Sequence, residues 1–284
     1  MKRIWILIAT LIAAGAPLAA QPSTRVATLL PYVAEALGRI PEVTIVAAVA
    51  AELGGEVPEG AVDLGSPHAP NYEALAASRP DVVVGDRRFH GAIEEKLARS
   101  GARVILVEAA SVDATLDGLI AVAAAAGVEA QMQRLVSEVR EALPRLHLDR
   151  AASVLPLFGA PGSFMAITER TWLGDLLAEL GFEILPPDLT GRESYPGYVE
   201  VSEEVLALVR PELVLLVTHG SPHAVAESFG RESSKGGPWA RLAERVRVLD
   251  PALFARNPGL EMGRAAEELV RLLDEAQGPI AQAR

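Results

Sequence analysis

The stretch EALAASRPDVVVGD, Glu73 to Asp86, is answered 131 positions later by EVLALVRPELVLLVT, Glu204 to Thr218. Each copy reads Glu, any residue, Leu-Ala, two variable residues, Arg-Pro, an acid and an apolar run. The runs Val82–Val84 and Leu213–Val217 are short and continuously apolar, as strands buried on both faces are. The segment ahead of each Pro reads as a helix. Asn71 and Ser202 stand two residues before the Glu as N-caps, and Pro80 and Pro211 end the run. A first-turn Glu complements the helix dipole in either copy. Capping alone does not require the same register twice, so the repeat predicts two α/β units of one plan.

Outward from these copies the chain alternates apolar runs with amphipathic segments: RVATLL, PYVAEALGRI, VTIVAAV and RVILVE before residue 110, then SVLPLFG, TWLGDLLAELG, PHAVAESF and WARLAERV after 150. This alternation implies mostly parallel sheets covered by helices. Between the halves lies VEAQMQRLVSEVREALPRLHL, with Met132, Leu135, Val136, Val139 and Leu143 at helical spacing. The expected fold is α/β, two Rossmann-like lobes joined by one long helix, with a ligand cleft between them. The expected boundaries are a leader at 1–20, a first lobe at 21–127, the connecting helix at 128–148 and a second lobe at 149–284.

Composition narrows the function classes. A formal charge of −11 and no cluster of Lys and Arg argue against a nucleic-acid or anionic-lipid surface. With no cysteine there are no disulfides, thiolate nucleophiles or Cys-held metals, nor an attachment site for a lipid anchor. MKRIWILIATLIAAGAPLAA has a basic start, an apolar centre and a small-residue end, the layout of a cleaved secretory signal, so the mature protein is expected to be soluble and exported, into a periplasm or beyond.

PNYEALAASRPDVVVGD, TLLPYVAEAL around Pro31, and GAPGSF followed by TWLGDLLAELG resemble the class III periplasmic substrate-binding proteins of ABC importers, which capture cobalamin, ferric siderophores and haem. The likeness covers essentially all of the chain beyond the leader. It implies two lobes bridged by a rigid helix, a monomer that binds a small-molecule ligand without chemical change, and one Glu per lobe that pairs with arginines of a dimeric permease. Those docking positions fall on Glu73 and Glu204.

Ligands of open α/β sheets lie outside the carboxyl ends of the strands, which directs the search to the loops there. These hold Pro31 and Tyr32, His68, His90, Phe164, Tyr198, His219, His223 and Arg256. The resemblance puts Tyr198 at a cleft aromatic position and Arg256 at a basic cleft position. A metal chelate of the haem, siderophore or corrinoid type would use the aromatics for stacking, Arg256 for carboxylates and a His or Tyr as axial ligand. The alternative is a bare divalent ion on His68, His90, His219 and a carboxylate. Against a large flat ligand stands the shortage of tryptophan: Trp5 is in the leader, and Trp172 and Trp239 fall in none of these loops. GSPHA occurs twice, at 65–69 and 220–224, in non-equivalent places. No hydrolase or nucleotide-binding motif is present, and Ser221 ahead of Pro222 reads as an N-cap, so no catalytic residue or cofactor is expected.

Overall fold

A computed structural model describes residues 23–49, 57–160, 162–187, 189 and 192–277; the expected leader lies outside them. In the first half the elements are β1 (Thr24–Thr28), α1 (Pro31–Leu37), β2 (Val43–Ala48), β3 (Val62–Asp63), a hairpin of β4 (Gly65–Ser66) and β5 (Ala69–Pro70), α2 (Tyr72–Ala77), β6 (Val82–Asp86), α3 (Arg87–His90), α4 (Glu94–Ala98) and β7 (Arg103–Val107). Their five-stranded sheet runs β3-β2-β1-β6-β7, every pair parallel. Two long helices come next, α5 (Val112–Ala125) and α6 (Glu129–Ala142). After α6 the chain tightens to a 3₁₀ turn at Leu143–Leu146, because Pro144 lacks the amide that would continue the α-helical ladder.

The second half contains β8 (Ala152–Ala160), β9 (Ser163–Ile167), α7 (Trp172–Glu179), β10 (Phe182–Ile184), β11 (Glu193–Tyr195), β12 (Tyr198–Glu200), α8 (Glu203–Leu208), β13 (Leu213–Val217), α9 (Pro222–Ser234), α10 (Gly237–Leu242), β14 (Val246–Val248), α11 (Pro251–Phe254) and α12 (Met262–Gln277). The sheet order is β11-β12-β9-β8-β13-β14, with β10 also on β8. Pairings of β8 with β10 and β13, and of β13 with β14, are parallel; β8 with β9, β9 with β12 and β12 with β11 are antiparallel. Along one edge of β8 the β10 pairing ends at Val154 and the β9 pairing begins at Leu157. Pro156 falls in that gap, where no ladder donor is needed.

The repeat resolves into one structural unit used twice. Asn71 and Ser202 cap α2 and α8, accepting from Ala74 N–H and Val205 N–H. The acid after each Pro staples the buried strand to its neighbour: Asp81 Oδ2 accepts Arg25 N–H at 2.9 Å, and Glu212 Oε1 accepts Ser153 N–H at 3.3 Å. The helix ends differ. Arg79 turns left-handed at φ 48, with Arg25 bonded to the Ser78 and Arg79 carbonyls, whereas α8 unwinds directly into an extended Val209.

One apolar cluster runs through both halves, from Val33 and Leu37 of α1 through Leu116, Met132 and Leu176 to Leu269 of α12. Two further clusters cover the outer faces, Leu75 and Leu97 on the first sheet and Val225, Phe229 and Trp239 on the second. The wall between the sheets is therefore continuous core. Asn257 Nδ2 bonds Thr115 Oγ1 at 2.7 Å and Asp175 Oδ2 accepts Val112 N–H at 2.8 Å, tying the second half to α5.

Candidate functional site: a cleft between the sheets

The strands of both sheets end at a cavity of about 310 Å³, at the small end of the ~300–1,000 Å³ range of ligand pockets. One wall comes from the turn after β1, the β4–β5 tip and α3, and carries Pro31, Tyr32, His68, Phe89 and His90. The facing wall comes from the N-terminus of α7, the β11–β12 turn, the loop after β13 and the segment after α11, and carries Trp172, Tyr198, His219 and Arg256. Arg88 bridges the walls, donating to the Pro196 carbonyl at 2.9 Å and to that of Arg170 at 3.5 Å.

The three sequence-predicted cleft histidines have different chemistry. His90 is buried with both ring nitrogens occupied: Nδ1 accepts the Asp86 N–H at 2.8 Å, so Nε2 carries the proton and donates to the Pro67 carbonyl at 3.0 Å. Burial holds its pKa below the ordinary value. His90 is a staple between α3 and the hairpin, with no lone pair left to ligate. His219 is an exposed residue on the cleft lining and packs edge-on against Phe158 at 5.0 Å, 78°. Desolvation between the cleft walls lowers its pKa. His68 is exposed on the hairpin tip, edge-on to Phe89 at 5.9 Å. It lies close enough that its charge would disfavour a proton on either of the other two imidazoles.

Phe164 is a correction. In β9 it pairs with Gly159 of β8 and turns to the outer face of the second sheet, where it packs against Phe229 at 5.7 Å and Trp239 at 5.3 Å, away from the cavity. Trp172 is the converse. It lines the cleft, stacked on Phe254 at 6.4 Å and 18°, and supplies the flat apolar surface that the predicted loops lack. Sequence pattern alone does not mark SFMAI as a strand, so the rule that points to strand ends does not reach the α7 start beyond it. Phe89, Asp86 and Asn257 also line the cavity without being predicted to. Their signal is position alone, in loops already flagged by His90 and Arg256.

His223 and Ser221 lie elsewhere. The second GSPHA opens α9, with Ser221 Oγ accepting Ala224 N–H at 3.3 Å and His223 pointing to solvent beside Glu227. No group of three His, Cys, Asp or Glu among the described residues is placed to hold a metal ion. Glu73 and Glu204 are exposed in the first turns of α2 and α8, and neither carboxylate meets a hydrogen-bonding or ionic partner among the described residues.

Asp86 caps α3, accepting from the Arg88 and Phe89 amides, yet burial raises its pKa. An acid shifted upward contributes stability below the ordinary carboxylate range and loses it as pH rises through the raised value. Asn accepts the same two amides without ionising. Asp86→Asn is expected to raise the melting temperature at neutral pH and to leave it unchanged under acid conditions. A loss of stability at neutral pH would show that the ionised carboxylate is needed.

Two α/β lobes closing on a cleft at the carboxyl ends of their strands define a two-lobe solute-binding protein. The chain belongs to the periplasmic binding protein family, whose model matches residues 26–233, and this is a family of binders, not of enzymes. The high-affinity heme uptake system protein IsdE of Staphylococcus aureus is 26% identical over 123 residues, 42% of this chain and 40% of that protein, so less than half of that relative is matched. The structure of IsdE complexed with heme superposes with a TM-score of 0.74 at 19% identity over 88% of this chain and 99% of that one. An ABC transporter substrate-binding protein from Listeria monocytogenes gives 0.76 at 20% identity over 89% and 99%. FeuA of Bacillus subtilis, complexed with ferri-bacillibactin, gives 0.71 at 17% over 89% and 93%. At these identities the structural likeness is one of fold. No helix among the described residues is long and apolar enough to cross a membrane.

Proposed function

We propose that this protein captures an iron porphyrin of the haem class outside the cytoplasm and hands it unchanged to the permease of an ABC importer. The observation that carries the reading is the pair of imidazoles on opposite walls, His68 and His219. Haem iron takes one axial ligand on each face, and a neutral imidazole serves well. The lowered pKa of His219 favours the neutral imidazole, which has a lone pair to offer iron. Phe89 and Trp172 offer flat apolar contact to the macrocycle.

Charge favours haem over a ferric tris-catecholate. Such an anion calls for several free cations. Of the two arginines in the cleft, Arg88 already donates to two carbonyls and the charge of Arg256 is met by Glu35 through Nη2, so neither is a wholly free cation, and Nη1 of Arg256 remains as an unpartnered donor. The heme bound in the IsdE structure agrees with this preference, while the ferri-bacillibactin bound in that of FeuA represents the competing class.

The two unpartnered carboxylates, Glu73 and Glu204, support the rest of the reading. They stand in the same register of the same unit, one per lobe, and suit a twofold permease that offers an arginine to each. In this proposal residues 21–127 and 149–284 are the lobes, 128–148 bridges them, and the exported protein works as a monomer.

Haemin titration followed by the Soret band tests the ligand. The parent is expected to bind one equivalent with a red-shifted Soret band. His68→Ala/His219→Ala is expected to lose that shift and to weaken binding by at least about tenfold for each axial bond, about 1.4 kcal/mol apiece. An unchanged Soret shift in the double variant, or tighter binding of a ferric tris-catecholate than of haemin, would sink the reading.

A further inference from the structure

Folding leaves two polar atoms of the cleft without partners. Tyr32 Oη and Arg256 Nη1 are both buried, and neither has a hydrogen-bond partner among the described residues. Buried polar groups are nearly always satisfied, so an orphaned hydroxyl and an orphaned guanidinium N–H lining one cavity need an explanation.

The two donors come from distant parts of the chain, and each is held in place. Tyr32 is the second residue of α1, and its ring is clamped by Gly259, where an added Cβ would come within 3.0 Å of Cδ2. Arg256 is tied to the same helix: its Nη2 pairs with Glu35, less than one turn beyond Tyr32. Glu35 engages that nitrogen and leaves Nη1 free. The Asp86 carboxylate acts on the phenol by its charge but makes no hydrogen bond to it, and its Oδ1 accepts the Arg88 and Phe89 amides. Burial first, and the Asp86 charge second, raise the Tyr32 pKa, so the group is a phenol that donates and not a phenolate that ligates metal.

A hydroxyl donor and a cationic donor, both left without partners on the lining of one cavity, are together complementary to a carboxylate. We infer that Tyr32 and Arg256 form a subsite for a carboxylate of the cargo, so that the cleft selects porphyrins carrying a free acid at the edge. One carboxylate oxygen accepts the Tyr32 O–H and the other accepts Arg256 Nη1–H. The inference rests on the haem-class reading above.

Haemin and haemin dimethyl ester, in which both acids are masked, separate the two claims. The parent is expected to bind haemin at least about tenfold more tightly than the ester, the size of one charge-assisted hydrogen bond. Tyr32→Phe keeps the ring and its packing on Gly259 while removing the hydroxyl. It is expected to fold with no loss of thermal stability and to weaken haemin about fivefold to tenfold while weakening the ester less, narrowing the gap between the two to what Arg256 supplies. Equal binding of acid and ester by the parent, or an equal loss of both in Tyr32→Phe, would overturn the subsite while leaving the porphyrin reading intact. If neither porphyrin binds the parent, both fall.

Discussion

Glu73→Ala/Glu204→Ala is expected to bind its cargo as tightly as the parent and to deliver almost none of it. Both carboxylates lie outside the cleft, so nothing that touches ligand is changed. The helices survive, because Asn71 and Ser202 keep their capping bonds and a first-turn Glu contributes only about 0.3–1 kcal/mol to the dipole. In a docked complex each carboxylate facing an arginine is a different matter: truncating one partner of such a pair costs about 2–5 kcal/mol. Two sites together put the loss of docking affinity at roughly 10³-fold or more. Ligand-stimulated ATP hydrolysis by the cognate permease in vesicles, measured beside a haemin titration of the same variant, reads both halves. Full stimulation by the double variant would remove the docking role, and a parallel loss of haemin affinity would mean that these residues act on the cleft instead.

Phe254→Ala should be the most destabilising of the single substitutions considered, at about 3–5 kcal/mol. Phe254 is 2% exposed and belongs to the cluster shared by both halves, where its ring stacks on Trp172. Removing it opens a void behind one wall of the cleft and loosens Trp172 and Arg256 together. Because the core is continuous, urea unfolding followed by tryptophan fluorescence and by far-ultraviolet circular dichroism is expected to remain a single coincident transition at lower urea. Leu208, 83% exposed at the end of α8, supplies the contrast: Leu208→Ala should change stability by less than about 0.5 kcal/mol. Two separated transitions, or a loss below about 1 kcal/mol in Phe254→Ala, would indicate that each lobe is stabilised by itself.

Much of the cleft is legible in the chain because strand ends are local features. Once RVATLL, DVVVGD and ELVLLVT are strands, Tyr32, His90 and His219 must stand near their carboxyl ends. Where a strand is hidden in the pattern the rule misleads, which is how Phe164 enters the expectation and Trp172 stays out. The paired GSPHA strings make the same point. At 65–69 the segment closes on itself as the β4–β5 hairpin, with Gly65 at φ 74, while at 220–224 Ser221 and Pro222 start a helix of 13 residues. Identical residues offer both outcomes, and the neighbouring chain selects one: Asn71 begins its own helix immediately after the first copy.

By itself the sequence determined the two α/β units, the helix–proline–strand repeat, the caps at Asn71 and Ser202 and the matching positions of Glu73 and Glu204. All of these rest on periodicity and on contacts within a turn or two of chain, where residue type and spacing carry the physics. Tertiary structure alone decided what each cleft side chain can do. His90 lost its ligating lone pair to the Asp86 amide, His219 was set at the cleft edge-on to Phe158, and Arg256 was oriented by Glu35 at a separation of 221 residues. Such pairings depend on how sheets and helices pack, and a linear spacing holds no record of them. The two orphaned donors on Tyr32 and Arg256 belong to this second kind of information, since a missing partner exists only once every other group has found its own.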